Sequence, residues 1–135
     1  MYLYKTKHAY LFQLACKYVN DPVLFRRRDN GNLVKFDLRY IVFVRQFDST
    51  GIDAFIYNNF WIRFAINEFS LSNLDDILTH MTVHNYSADT NASVYQLECQ
   101  EFIAQFETLY PKLKWATIQA EIATVIKEVL RAAAK

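Results

Sequence analysis

Glycine, proline and cysteine each occur only twice in the 135 residues of this chain. The two glycines, Gly31 and Gly51, both lie in turn-forming stretches, so there is no glycine-rich loop that could hold phosphate through backbone N–H groups. Cys16 and Cys99 lack metal-binding spacing and are expected to be reduced, as in an intracellular protein. No serine lies in a nucleophile elbow. The common short motifs of phosphate-binding loops, zinc sites and serine hydrolases are therefore excluded.

Strong charge and long apolar runs are also absent. The formal net charge is +1, which gives no electrostatic reason to expect nucleic acid or an anionic membrane as a partner. No apolar run approaches the roughly 20 residues needed to cross a bilayer. The N-terminus lacks the charged-then-apolar order of a signal peptide. A cytoplasmic protein is expected, and its oligomeric state is left open.

Hydrophobic residues make up 53% of the chain and aromatic residues 16%, enough for one folded domain with a real core. Alternation and turn signals predict strands over residues 10–19, 34–47, 52–57 and 60–66, with Asn58-Asn59 as a tight connection in a meander. Residues 67–94 are predicted to be a long excursion with one helical turn near 74–78. Strands followed by helices indicate the α+β class, and residues 1–135 are expected to be an interior portion of a larger domain.

The last third of the chain is predicted to form two helices. Phe102, Phe106 and Leu109 have helical spacing, and Pro111 ends that segment. A second apolar stripe is interpreted as core and consists of Trp115, Ile118, Ile122, Val125 and Val129. Near the other end of the chain, the run Arg26 to Arg28 precedes Asp29-Asn30-Gly31 and is interpreted as a solvated hairpin loop.

The predicted strand over residues 34–47 carries charged residues in its first half and is apolar in its second half. Lys35, Asp37 and Arg39 have one parity and therefore share a face, whereas residues 41–44 are apolar on both faces, as in a covered sheet interior. If the next strand pairs as a meander, Arg63 joins the charged face. Three cations around one carboxylate would form an anion-binding surface suited to a transferring phosphoryl group. The alternative is a set of cross-strand salt bridges on a solvated face.

Four stretches of the chain resemble the tubulin tyrosine ligase-like family, and one of its subgroups most closely. They are Lys17-Tyr-Val-Asn-Asp-Pro-Val-Leu-Phe25, Lys35-Phe-Asp-Leu-Arg-Tyr-Ile-Val-Phe-Val44, Phe60-Trp-Ile-Arg63 and His80-Met-Thr-Val83. The resemblance implies a fragment of an ATP-grasp fold, with antiparallel strands followed by two C-terminal helices. It also implies a ligase that uses ATP and magnesium to join an amino acid to a protein carboxylate, with tubulin or another acidic protein tail as partner.

The resemblance also implies roles for individual residues. Arg39 and Arg63 would be catalytic, holding phosphate and the acceptor carboxylate, and Asp37 would also bind the metal. The nucleotide-binding residues would be Lys17, Tyr18, Val19, Lys35, Asp37, His80, Met81 and Thr82, of which the first three would lie at the adenine edge.

Two departures from the family pattern bear on activity. Cys16 replaces the usual glutamine, and Val83 replaces the usual asparagine. The family's phosphate-gripping lysine segment and its magnesium carboxylates would lie outside these 135 residues. We therefore expect that the isolated chain cannot catalyse ligation. Three alternatives stay open for the parent: an ATP-dependent ligase, a non-catalytic module that binds acidic protein tails, and a scaffold whose charged face is structural.

Overall fold

The computed structural model describes residues 3–6, 9–12, 16–48, 50–83 and 95–134. The strands are β1 Leu3–Thr6, β2 Ala9–Phe12, β3 Phe25–Arg26, β4 Leu33–Val34, β5 Phe36–Asp48 and β6 Gly51–Phe64. The helices are α1 Ile77–His80, α2 Cys99–Leu109 and α3 Trp115–Ala133. Within these ranges the strands form three antiparallel pairs, β1 with β2, β3 with β4 and β5 with β6. Antiparallel strands followed by two helices confirm the predicted α+β order.

The β5–β6 hairpin has the pairing that the sequence predicts near its base. Asp37 lies opposite Arg63, and Tyr40 lies opposite Phe60. Cross-strand partners point to the same face, so the charged residues of β5 share a face with Arg63. The other face of β6 carries Phe60, Ile62 and Phe64, all buried.

The predicted connection at Asn58-Asn59 is wrong, because β6 continues through it as one strand. The register shifts between the pairs Tyr40–Phe60 and Val42–Ile56, so β6 carries two more residues than β5 there. An extra stretch on one strand of this kind is a β-bulge, which bends the strand without reversing it. The polar residues that indicated a turn therefore mark a bulge. The strand pair is consequently one long ribbon, with a base before the bulge and a distal half beyond it.

The core lies where the base of the ribbon meets α2 and the start of α3. Phe102 of α2 is fully buried and has six aromatic neighbours on five elements within about 6 Å. These neighbours are Phe25, Phe36, Phe60, Phe64, Phe106 and Trp115. Phe102 and these six rings thus form one aromatic cluster, which holds the base of the ribbon in place.

The arginine run lies in the β3–β4 hairpin, as predicted. Gly31 has a φ of +77°, a conformation that favours glycine. The interpretation of all three arginines as solvated is wrong for Arg27, which is only 6% exposed. Its guanidinium donates to the carbonyl of Ile66 at 3.1 Å and to the carboxylate of Asp29 at 2.5 and 3.0 Å. Arg27 therefore ties the hairpin to the chain that follows β6.

Two further predictions about strands are wrong in part. Residues 10–12 are in β2, but residues 16–19 belong to no strand and are exposed. Residues 13–15 lie outside the described ranges. Ile41, Phe43 and Val44 are also exposed, because the distal half of the ribbon extends beyond α2. Apolar residues on both faces predicted a covered interior there. No described element packs on the face that carries Phe43 and Phe55, whereas α3 lies beside the opposite face.

The apolar stripe of α3 is buried only at its start. The helix forms as predicted, and Trp115 is buried, but Val125 and Val129 are each 62% exposed. The interpretation of the whole stripe as core is therefore wrong within the described residues. Helical spacing identifies an apolar face but cannot show whether another element covers it.

The segment after β6 folds back beside the sheet. The backbone N–H groups of Ile66 and Asn67 donate to the carbonyl of Leu78 at 3.0 and 3.1 Å. The predicted helical turn near 74–78 forms slightly later, as α1, and the remainder of the predicted excursion, residues 84–94, lies outside the described ranges. This return path brings residues 80–82 alongside the charged face of β5. No described helix is long and apolar enough to cross a membrane.

Candidate functional site

Asp37 is held by two elements that meet at the charged face of the ribbon. Arg63 binds its carboxylate through two nitrogens, with Nε to Oδ1 at 2.8 Å and the terminal nitrogen to Oδ2 at 2.7 Å. The hydroxyl of Thr82 donates to the same Oδ2. The hydrogen bond to Asp37 raises the pKa of Arg63, so this guanidinium is charged at every relevant pH. The cross-strand salt bridge that the sequence left as an alternative is thus present.

Tyr18 joins a second group of site residues. Its hydroxyl lies 2.6 Å from Nδ1 of His80 and 3.4 Å from Nζ of Lys35. The ammonium of Lys35 also lies 4.6 Å from the centre of the Tyr18 ring, within the range of a cation–π interaction. Residues 62 positions apart in sequence are therefore linked through one phenol oxygen. Lys35 lies directly before β5 with the parity of Asp37, and His80 and Thr82 share a segment, so the two groups are neighbours.

Asp76 fixes the segment that carries His80 and Thr82. Its carboxylate caps α1 by accepting from the N–H of Leu78 at 3.0 Å. It also accepts from the hydroxyl of Thr79 at 2.7 Å and the amide of Asn67 at 3.0 Å. The hydrogen bond from Thr79, followed by that from Asn67, lowers the pKa of Asp76. An ionised Asp76 therefore orders the return segment.

The remaining predicted site residues are less constrained. Arg39 is exposed on the same face as Asp37, opposite Trp61, and makes no ion pair within the described residues. Lys17, Val19 and Met81 are exposed and make no side-chain hydrogen bond there. An open cavity of about 1060 Å³ runs beside β6. Its lining includes Arg39, Arg63, Trp61, Glu98 and Glu101.

The described residues do not by themselves form a magnesium site. Both oxygens of Asp37 already accept hydrogen bonds, and no group of three or more acidic, histidine or cysteine side chains comes together in these ranges. Magnesium requires near-octahedral oxygen coordination, usually from carboxylates, phosphates and water. One carboxylate already bound to a guanidinium does not meet that requirement.

Comparison with known proteins assigns the chain to a family. The family model described as Tubulin-tyrosine ligase family matches residues 7–135. The chain belongs to the tubulin-tyrosine ligase family. The resemblance seen in the sequence is thereby confirmed.

Relatives within the tubulin-tyrosine ligase family agree with the subgroup that the sequence indicated. The chain is 48% identical over 123 residues to Tubulin--tyrosine ligase-like protein 12 of Caenorhabditis elegans, and 42% identical over 121 residues to that of Homo sapiens. These alignments cover 91% and 90% of this chain but only 18% of each relative. The chain thus spans less than a fifth of the length of these relatives. No solved structure matches the chain significantly.

Some residues of the site were not predicted from the sequence of this tubulin-tyrosine ligase family chain. Asn73 accepts a hydrogen bond from His80 through its carbonyl at 2.9 Å, and Phe69 packs against the His80 ring. Neither contact has a sequence signal. Asp76 does have one, because aspartate is a preferred helix N-cap residue and here directly precedes the apolar pair Ile77 and Leu78. The cap could have been predicted, but its effect on His80 and Thr82 could not.

Proposed function

We propose that this chain forms part of an ATP-grasp nucleotide cleft in a tubulin-tyrosine-ligase-like protein of the cytoplasm. The parent would use ATP to activate a protein carboxylate, with a tubulin tail as the expected acceptor. One observation carries the proposal: the charged face of β5 and the segment with His80 and Thr82 come together around Asp37. Lys35 and Arg39 then present two cations along one strand face, where phosphate oxygens can accept hydrogen bonds.

Magnesium would have to be bound by groups outside the described residues. In this proposal Asp37 orients Arg63 instead, and Arg63 keeps three of its five N–H donors in a fixed position beside Arg39. A guanidinium held in this way binds an anion with little further loss of conformational entropy. The isolated chain is accordingly proposed to bind nucleotide weakly at most and to have no ligase activity.

A non-catalytic module that binds acidic tails is the second candidate. The exposed Arg39 favours it, because this side chain has no ion-pair partner in the described residues. Glu98 and Glu101 line the same cavity and would repel an acidic peptide and nucleotide phosphates alike, so these two carboxylates favour neither candidate. The nucleotide cleft is the preferred function because it also uses the segment with His80 and Thr82, which a surface for acidic tails does not require.

Calorimetry on the longest natural polypeptide that contains this sequence tests the proposal. ATP with magnesium should bind the wild type, whereas Asp37→Asn and Arg39→Ala should each weaken binding at least tenfold. Arg45→Ala is the matched control, because Arg45 pairs with Asp53 across the same ribbon but lies beyond the bulge. It should leave ATP affinity unchanged. If ATP does not bind while glutamate-rich tail peptides do, the binding module replaces the ligase as the proposed function.

A further inference from the structure

The contacts of His80 determine the direction of a chain of hydrogen bonds. Nε2 of His80 lies 2.9 Å from the backbone carbonyl of Asn73, and Nδ1 lies 2.6 Å from the Tyr18 hydroxyl. A carbonyl can only accept, so Nε2 carries the proton. In the neutral imidazole Nδ1 then accepts from Tyr18, and the Tyr18 oxygen accepts from Lys35 at 3.4 Å. Every hydrogen bond in this series is donated in the direction from Lys35 towards Asn73.

Packing restricts the same side chains. The Tyr18 and His80 rings meet edge to face with centres 5.6 Å apart, and Phe69 packs edge to face on His80 at 6.2 Å. The backbone carbonyl of Asn73 holds the far side of the imidazole, so His80 cannot rotate without losing both hydrogen bonds. Tyr18 is 40% exposed and would otherwise have freedom of rotation. The His80 ring is thus held in one orientation, and its contacts with Tyr18 hold the Tyr18 side chain in turn.

This arrangement restrains the side chain of Lys35. A lysine side chain has large rotamer entropy, about 2 kcal/mol, which is lost when it binds an anion in a defined position. The Tyr18 ring and hydroxyl restrain the ammonium before any ligand arrives, through the contacts at 4.6 and 3.4 Å. The ammonium has three protons and uses one on Tyr18, so two remain for phosphate oxygens.

We propose that Tyr18, fixed by His80, is a positioning residue that directs Lys35 at the phosphates of the bound nucleotide. This inference rests on the proposed nucleotide cleft. It assigns the Tyr18 side chain to the phosphate end of the ligand, whereas the family resemblance implied a place at the adenine edge. The hydroxyl acts through Lys35 and need not touch the nucleotide.

Binding of ATP and of adenosine, measured by calorimetry on the same natural polypeptide, separates these roles. Tyr18→Phe keeps the ring and removes the hydroxyl, so ATP affinity should fall roughly threefold to tenfold, the equivalent of one hydrogen bond. Adenosine affinity should not change. Tyr110→Phe is the matched control, because the Tyr110 hydroxyl donates to the carbonyl of Leu24 outside the site, and it should affect neither ligand.

Two further sets of variants test the route through Lys35 and His80. In a Lys35→Ala background Tyr18→Phe should have no additional effect on ATP, because the group that it positions is gone. His80→Gln supplies one donor and one acceptor and should retain most of the affinity, whereas His80→Phe should reproduce the loss caused by Tyr18→Phe.

The outcomes distinguish this inference from the proposed function. If the wild type binds no ATP, the nucleotide cleft fails and the inference fails with it. If ATP binds but Tyr18→Phe weakens adenosine equally, Tyr18 contacts the base and only the inference is overturned. It is also overturned if Tyr18→Phe keeps its full effect in the Lys35→Ala background.

Discussion

At the residue scale, the three consecutive arginines of the β3–β4 hairpin show how differently neighbouring side chains contribute. Arg26 donates to the carbonyl of Gly31 at 2.8 Å from an exposed position, and Arg28 is 70% exposed beside Glu101. Arg27 is buried, with its guanidinium 4.9 Å from the centre of the Tyr95 ring. Identical residues in one run therefore have unequal effects on stability.

Arg27→Ala should lower the free energy of unfolding by about 1–3 kcal/mol, because it removes a buried donor to the Ile66 carbonyl and the packing on Tyr95. Arg28→Ala is the matched control and should change it by less than about 0.5 kcal/mol. Urea unfolding followed by circular dichroism measures both. Equal effects of the two substitutions would contradict the structural role of Arg27.

Two tyrosines of the core should respond in opposite directions to loss of the hydroxyl. The buried Tyr40 hydroxyl has no hydrogen-bond partner among the described residues, whereas that of Tyr110 donates to the carbonyl of Leu24 at 2.6 Å. Tyr40→Phe should stabilise the chain by up to about 1 kcal/mol, and Tyr110→Phe should destabilise it by a similar amount. Thermal melts of the two variants test this difference in sign.

The Tyr40 hydroxyl also predicts a pH dependence. Burial raises the pKa of Tyr40 from 10.0 to about 12. The folded state therefore keeps a proton that the unfolded state loses above pH 10, so the stability is fully present below that pH and falls between pH 10 and 12. Comparison of wild type and Tyr40→Phe across this range isolates the contribution, since the variant should show a smaller fall.

At the scale of elements, α1 is a four-residue helix whose order depends on its cap. Asp76→Asn should lower the urea midpoint at pH 7, because the ionised carboxylate accepts hydrogen bonds from Thr79, Asn67 and Leu78. Because the pKa of Asp76 is lowered in the folded state, its contribution to the free energy of unfolding is fully present above pH 3.8. The contribution is lost as the pH falls through the pKa of the folded state. The difference between wild type and variant should therefore shrink in acid.

Asp75→Asn is the control for this cap. Asp75 is the exposed neighbour, and its side chain makes no hydrogen bond within the described residues. The same unfolding series should show no difference between this variant and the wild type at either pH. A loss as large as that of Asp76→Asn would indicate a general charge effect in place of a cap.

The elements also show what sequence patterns could and could not predict. The parity of Asp37, Arg63 and Phe64 predicted the faces of the ribbon correctly, because alternation in a strand is a local property. The bulge near Asn58 and the exposure of Val125 could not be predicted in the same way. Each depends on what packs against the element, and local periodicity carries no information about that neighbour. The site depends on a return path through α1. The sequence predicted a helical turn near residues 74–78 but not that the path would bring His80 and Thr82 to the ribbon.

At the scale of the whole molecule, the described residues bury one end of the ribbon and leave one face of the other end exposed. Phe43 and Phe55 are cross-strand partners beyond the bulge and are 62% and 52% exposed. Exposed apolar surface of this kind promotes association. The isolated chain should therefore self-associate at micromolar concentration in sedimentation velocity experiments and bind a hydrophobic dye.

Phe43→Ser combined with Phe55→Ser should reduce both signals. Leu71→Ser is the control, because Leu71 is also exposed and apolar but lies away from the ribbon. It should leave association unchanged. Association that persists in the double variant would show that another exposed apolar surface mediates it, for example the one along α3.

The bulge in β6 has a consequence for amide hydrogen exchange. Hydrogen bonds run along the ribbon from Phe36 to Asp48, yet only the part before the bulge is packed against the aromatic cluster. Backbone amides open in cooperative units whose stability follows their packing. Residues 41–48 should therefore exchange through a separate, lower-energy opening than residues 36–40. A single strand pair would then behave as two thermodynamic units, with the candidate site in the more stable one.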